Sequence, residues 1–101
     1  MLTLTRLITD RNPRTRERGA EECADYISSY SSRDVHLLCA LLTMCATVEE
    51  DITALESQLH ALIELGSTGH VRHSDLAPLS KIDRAALPTG LDEYIEDLLE
   101  E

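Results

Sequence analysis

The fold of this chain depends on the stretch from Asp34 to Val48, which reads DVHLLCALLTMCATV. Between Val35 and Ala46 only His36, Cys39 and Thr43 interrupt the apolar residues, so the pattern predicts a helix that is apolar nearly all the way round. Such a helix must be covered on several sides. It is too short to span a bilayer, which takes about 20 residues, so its cover has to be protein. We therefore expect a central buried helix at 34–48.

The composition indicates one small domain, 1–101, with an aliphatic core. A chain of 101 residues is long enough for one domain and too short for two. It has no Trp and no Phe, so Leu, Ile, Val, Ala, Met and Cys must fill the interior. Cys23, Cys39 and Cys45 lie in apolar patterns without a Cys-x-x-Cys pair, which predicts reduced thiols and a cytoplasmic location. We find neither a signal peptide nor a transmembrane segment in the sequence.

The net charge of −10 is unevenly distributed. Residues 34–66 contain six acidic residues and no Lys or Arg, whereas residues 1–33 contain six Arg. A field of this sign repels phosphate backbones and anionic lipid, so we expect neither nucleic acid nor membrane as a partner. It attracts basic proteins. The alternative is that the acidity serves only solubility.

Two helices are expected before the apolar stretch. Leu2 to Thr9 forms the first, and the second runs from Pro13 to about Ser29 with Asn12 as its N-cap. The inward face of the second helix has apolar residues at three- and four-residue spacing. Its outward face is charged and includes Arg16. A glycine inside this helix, Gly19, predicts a close approach by a neighbouring helix.

The apolar helix and the one after it form a second pair at 33–65. Ser32 is the expected N-cap of the apolar helix. Three acids, Glu49, Glu50 and Asp51, are expected to open the fourth helix, with Val48 and Ile52 on its inward face. Gly66 is the expected C-cap glycine.

The pattern is weaker in the capping region, 74–101. A short helix is predicted from Asp75 to about Ile82, followed by a loop that contains Pro88 and Gly90. A strongly periodic last helix is predicted from Leu91 to Glu101.

The first helix pair, 2–29, resembles a HEAT repeat. The segment LITDRNPRTRERGAEECADYI has the apolar first helix and the Asp-x-Asn-Pro turn of this family. It also has the Arg in the first turn of the second helix and the apolar positions that follow. The matching residues are Asp10, Asn12, Pro13, Arg16, Ala20, Cys23, Ala24 and Ile27. The second pair recurs at an offset of about 34–36 residues but lacks the Asn-Pro turn and the Arg. This resemblance implies an all-α fold, a short right-handed stack of helical hairpins that forms a HEAT-like α-solenoid fragment. It also implies a scaffold for partner binding, with the second helix of each pair on the concave side.

Two residue sets were considered as chemical sites. His70, His73 and Asp75 lack a third fixed ligand in a rigid element, so surface histidines are the better interpretation than a metal site. The pair His36 and Cys39 lies in the apolar helix, where a thiol ionises poorly, so packing is the better interpretation than catalysis. We expect no metal, no cofactor and no enzymatic activity.

Acidic stripes remain as the candidate functional surface. The predicted partner-binding residues lie on the second, fourth and last helices and are Glu21, Glu22, Asp25, Glu56, His60, Glu64, Asp92, Glu93, Glu96 and Asp97. They predict a small acidic protein-binding module. Its most specific form is a bacterial immunity-type protein that neutralises a basic, nuclease-like toxin domain. The alternative is a structural or regulatory HEAT-like adaptor with no toxin partner, and the oligomeric state stays open.

Overall fold

The predicted all-α class is confirmed by the structure, a computed structural model that describes residues 1–100. This part of the chain contains no strand and forms six α-helices, which are α1 (Leu2–Ile8), α2 (Pro13–Asp25), α3 (Ser32–Val48), α4 (Ile52–Gly66), α5 (His73–Leu76) and α6 (Thr89–Leu99). Three 3₁₀ turns occupy Ile27–Ser29, Ala77–Lys81 and Arg84–Ala86. The predicted end of the last helix, Glu101, lies outside the described residues.

The helices lie in two layers. α2, α4 and α6 lie side by side in one layer, with α4 in the middle. The other layer contains α1, α3, and α5 with the turn Ala77–Lys81. Each helix of the second layer packs on the first, α1 on α2 and α3 on α4, and the molecule is only 18 Å thick in its shortest dimension. Two layers of helices, each about 10 Å across, account for this thickness.

Side-chain caps fix the N-termini of α2 and α3. Asn12 caps α2 as predicted, because its Oδ1 accepts a hydrogen bond from the Arg14 amide at 2.8 Å. The predicted cap of α3, Ser32, is wrong by one residue. Ser31 caps this helix in a reciprocal arrangement: its Oγ accepts from the Asp34 amide, and the Asp34 carboxylate accepts from the Ser31 amide, both at 3.1 Å. This capping box satisfies two amides at once, and so it outweighs a single serine cap.

Two predicted helix ends were also wrong. α2 ends at Asp25 rather than near Ser29, since the chain turns at Tyr26 so that the Tyr30 hydroxyl can donate to the Cys23 carbonyl at 2.9 Å. Gly66 is the last residue of α4, and the glycine in the left-handed conformation is Gly69, with φ of 79°.

The capping region also differs from its prediction. The expected helix from Asp75 to Ile82 is a four-residue helix, α5, followed by the 3₁₀ turn Ala77–Lys81. Pro78 lies within this turn and has no amide hydrogen to donate to a continuing α-helix. The last helix begins at Thr89, two residues before Leu91.

The most enclosed helix is α4, not α3. α4 contacts α2, α3 and α6, and seven of its residues are buried. Cover on several sides is expected for the helix at 34–48, but one side of it is open, since Leu37, Met44 and Val48 are 55, 67 and 76% exposed. The apolar residues of α3 lie on all sides of the helix, but the other helices contact only one side of it. Leu38 and Leu42 point to that side and are fully buried.

The inward face predicted for the fourth helix was too wide. Leu55, Leu59 and Leu62 are buried as expected, whereas Ile52 is 45% exposed and Val48 belongs to α3. Both exposed residues lie near the connection between α3 and α4, where no other helix covers them.

The close approach predicted at Gly19 is confirmed. A Cβ atom at this position would lie 2.8 Å from the Leu7 Cβ atom and 2.8 Å from the Ile8 amide nitrogen. α1 therefore rests on the backbone of α2 at this residue, and the missing side chain sets the distance between the two helices.

We expect Gly19→Ala to lower the free energy of unfolding by about 1–3 kcal/mol, because backbone atoms of α1 would have to move away. Gly66→Ala is the matched control: it is also helical, has nothing near its missing Cβ, and is expected to be neutral or stabilising by up to about 1 kcal/mol. Urea unfolding followed by circular dichroism measures both. Equal stability of Gly19→Ala and the parent chain would contradict the close approach.

Candidate functional site: the acidic face of α2, α4 and α6

The outward stripe of α4 forms the middle of the candidate surface. Glu56 and His60 are exposed and Glu64 is half-buried, at four-residue spacing along one side of the helix. The His60 Nε2 atom lies 3.7 Å from the Glu64 Oε1 atom. α4 contains no Lys or Arg, so His60 is its only side chain able to take a positive charge.

The stripe of α6 is next to that of α4. The His60 and Tyr94 rings meet edge to face, with their centroids 6.4 Å apart, and so join the two helices at the surface. Glu93, Glu96 and Asp97 are exposed, and Asp92 is half-buried. The predicted residues of α4 and α6 are therefore brought together.

One cation partly neutralises the α6 stripe. The Arg84 Nε atom lies 2.5 Å from the Asp92 Oδ1 atom, and its Nη2 atom lies 3.7 Å from the Glu96 Oε2 atom. Arg84 comes from the 3₁₀ turn before α6, and no pattern in the sequence predicts this contact. Glu93 and Asp97 remain the more anionic end of the stripe.

Glu22, one of the three predicted acids of α2, does not group with the others. Glu21 and Asp25 are exposed, but Glu22 is half-buried in a hollow of about 270 Å³ that Leu4 and Tyr26 also line. Glu22 thus lies beside α1, and we do not include it in the acidic face. From here on, the acidic face means Glu21, Asp25, Glu56, His60, Glu64, Asp92, Glu93, Glu96 and Asp97.

A largely buried ion pair with two hydrogen bonds lies elsewhere, between Arg16 and Glu49. The guanidinium Nε and Nη2 atoms each donate to one Glu49 carboxylate oxygen, both at 2.6 Å. The Arg16 Nη1 atom donates to the carbonyls of Asp10 and Arg11 at 2.9 and 2.8 Å. The pair therefore connects the turn between α1 and α2 with the turn between α3 and α4.

Both members of this pair differ from their predicted positions. Arg16 was placed on the outward charged face and Glu49 in the opening turn of the fourth helix, but their side chains are only 21 and 2% exposed. Glu49 also accepts a hydrogen bond from the Gln58 Nε2 atom at 2.8 Å. α4 begins later, with Asp51 as its N-cap accepting from the Ala54 amide at 2.9 Å. The Asp51 carboxylate also pairs with Arg14.

Opposing effects set the pKa of Glu49. Burial by itself raises the pKa of this carboxyl group, but hydrogen bonds from Arg16, the Asp51 amide and Gln58 outweigh it and hold the pKa below its ordinary value of 4.5. The folded state therefore prefers the ionised form. The stabilisation is fully present above the ordinary pKa and is lost as the pH falls through the lower folded-state pKa.

We expect Glu49→Gln to lower the free energy of unfolding at pH 7 by about 2–3 kcal/mol, because Arg16 loses its charged partner while staying largely buried. The difference from the parent chain should shrink between about pH 5 and pH 3. Glu50→Gln, at an exposed neighbouring position, is the matched control and should behave as the parent chain does. Urea unfolding at a series of pH values measures this; a difference that is the same at pH 7 and pH 3 would contradict the assignment.

The candidate catalytic residues His36 and Cys39 take part in the packing between helices. The His36 Nδ1 atom lies 3.3 Å from the Asp75 Oδ2 atom, which ties α3 to α5. Cys39 is fully buried, and burial raises the pKa of its thiol to about 11. A thiol with this pKa is almost wholly protonated at neutral pH and is a poor nucleophile. Within residues 1–100, no group of three or more His, Cys, Asp or Glu residues could hold a metal ion.

Comparisons with known proteins gave no relative: no protein-family model, curated protein or solved structure matches this chain. Of the helices in residues 1–100, none has the length and apolar character needed to cross a membrane.

The three thiols differ in their accessibility. Cys23 and Cys39 are fully buried with a pKa of about 11, because burial disfavours the thiolate, whereas Cys45 is only half-buried. We therefore expect Ellman's reagent at pH 7.5 to label Cys45 slowly in the folded protein and all three thiols in urea. Cys45→Ser is the control and should remain unlabelled without denaturant. Rapid labelling of three thiols in the native protein would contradict the described packing.

Proposed function

We propose that this chain is a protein-binding module whose acidic face recognises a basic protein surface. The observation that supports this most is the pairing of α4 and α6. These adjacent helices contain six carboxylates and no Lys or Arg, and His60 and Tyr94 are in contact between them. Carboxylates spread over two neighbouring helices produce a negative surface that speeds encounter with a cationic partner and orients it.

The most specific form of this proposal is an immunity-type inhibitor in the bacterial cytoplasm. Such an inhibitor would cover the cationic active site of a nuclease-like toxin domain, sterically and by charge. Small size and a net charge of −10 support it, since a toxin that binds nucleic acid must present positive charge to phosphate. The inhibitor then offers carboxylates where the nucleic acid would offer phosphates.

A HEAT-like stack is the arrangement we propose for the helix pairs. Arg16 joins the turn of the first pair to that of the second, and α2, α4 and α6 lie in one layer. Both observations support hairpins stacked in the same direction. In such a stack the second helices together form the binding side, and the acidic face lies on that side.

The proposal is tested by capture of the partner from a lysate of the source cells. We expect the immobilised chain to retain a basic protein at about 0.1 M NaCl and to release it at about 1 M, because salt screens the contact. Glu56→Lys should weaken capture at low salt by at least about tenfold. Asp83→Lys is the matched control, with the same charge reversal at an exposed position outside the acidic face.

The outcome that contradicts the proposal is the absence of a basic partner under any condition, or equal capture by Glu56→Lys and Asp83→Lys. The immunity form makes a further demand: a toxin reading frame directly upstream of the gene, whose effect on growth is relieved by this chain and less so by Glu56→Lys.

The second candidate is a structural or regulatory adaptor whose acidity serves only solubility. The contact of Arg84 with Asp92 and Glu96 favours it, because this cation neutralises part of the acidic face within the chain. A partner that is retained equally at low and high salt would support the adaptor over the inhibitor.

A further inference from the structure

The exposed side of α3 is an apolar ridge, formed by Leu37, Ala40, Leu41, Met44 and Val48. Three of these side chains are more than half exposed, Leu37 at 55%, Met44 at 67% and Val48 at 76%. Single exposed apolar residues are common on protein surfaces, but a contiguous row on one helix marks an interaction site. The ridge is therefore a surface that lacks its cover.

The spacing of the ridge favours another helix as the cover. Leu37, Leu41, Met44 and Val48 follow one another at intervals of four, three and four residues. These intervals average about 3.7 residues, close to the 3.6-residue turn of an α-helix, so the four side chains form one stripe along which another helix can pack. A hollow of about 550 Å³ lies beside Met44 and Val48 and extends to Pro78, so there is room for an incoming side chain. Met44 is unbranched and flexible, and such side chains adapt well to an opposing surface.

The charges around the ridge favour a second copy of this chain. No Asp, Glu, Lys or Arg occurs from residue 35 to residue 48, although the chain has a net charge of −10. The residues of the acidic face belong to α2, α4 and α6, and none belongs to α3. Two copies can therefore approach through α3 with the least repulsion between their carboxylates.

The ridge is also complementary to itself when reversed. In an antiparallel pair, Leu37 meets Val48 of the second copy and Leu41 meets Met44. At the ends of the ridge, Arg33 is exposed on the same side of α3, and Glu50 is exposed just beyond its C-terminus. Reversal brings each Arg33 towards the Glu50 of the other copy, and the two helix dipoles run in opposite directions. A parallel pair would instead place Arg33 beside Arg33.

We propose that two copies of this chain form a two-fold symmetric dimer through antiparallel α3 ridges. A patch of this kind exposes on the order of 400 Å², so two copies bury about 800 Å² of apolar surface. With the polar rim, the contact reaches the lower end of specific interfaces, about 1,200 Å². We therefore expect a dissociation constant on the order of micromolar. The dimer does not depend on the proposed function, and its contact through α3 uses none of the residues of the acidic face.

The test is sedimentation equilibrium of the full chain from about 1 to 500 µM. We expect a monomer–dimer equilibrium for the parent chain. Met44→Glu places two like charges near the symmetry axis and should raise the dissociation constant at least about 100-fold. Thr53→Glu is the matched control, since it adds the same charge at an exposed position on the outer side of α4 and should leave the dimer unchanged. Circular dichroism checks that both variants remain helical.

The antiparallel arrangement is tested by exchange of the end charges. Arg33→Glu should weaken the dimer about tenfold, and the double variant with Glu50→Arg should restore it, because the exchanged charges meet again in an antiparallel pair. Higher salt should strengthen the dimer of the parent chain by screening the repulsion between two anions, whereas it weakens capture of a basic partner.

Three results would overturn the proposal. The first is a chain that stays monomeric at 500 µM, which would leave the ridge to a different protein. The second is a dimer that Met44→Glu and Thr53→Glu affect equally, which would place the contact elsewhere. The third is a dimer that Glu50→Arg fails to restore in the Arg33→Glu background, which would exclude the antiparallel arrangement.

Discussion

The contact between Arg16 and Glu49 is the constraint on which the arrangement of the helices depends. It joins the turn of the first helix pair to that of the second, and Gln58 extends it into α4. A buried ion pair adds little net stability, because desolvation offsets most of its attraction. Its effect is on the arrangement of the helices. Leaving Arg16 or Glu49 buried without its partner would lower the stability, so the two helix pairs are held in one register.

This register determines what each side of the molecule presents. α4 lies between α2, α3 and α6, so its leucines form the centre of the core and its outward stripe becomes the centre of the acidic face. α3 contacts its neighbours with one side only, and its other side stays apolar and exposed. The molecule thus has two surfaces of different character, one anionic and one mainly apolar.

The sequence predicted those features that local rules decide. Asn12 caps α2, Gly19 is a point of close approach, and α1, α2, α3, α4 and α6 overlap the segments where the apolar periodicity places helices. Of the predicted site, the α4 and α6 residues lie together, whereas Glu22 lies beside α1. The pairing of Arg16 with Glu49 was missed because the residues are 33 positions apart, and no spacing rule reports such a contact.

The sequence by itself determined that this chain is helical, aliphatic inside and acidic outside. Helix periodicity can be read from short segments, and the aliphatic and acidic character follows from the amino-acid composition of the whole chain. Only the tertiary structure decided which apolar residues are buried and which acids are paired. The side chains of α3 alone do not reveal on which side the neighbouring helices pack. The packing side of α3 depends on the contacts that α4 makes with α2, α3 and α6. As a result Met44 is exposed, whereas Leu42, two residues earlier, is buried.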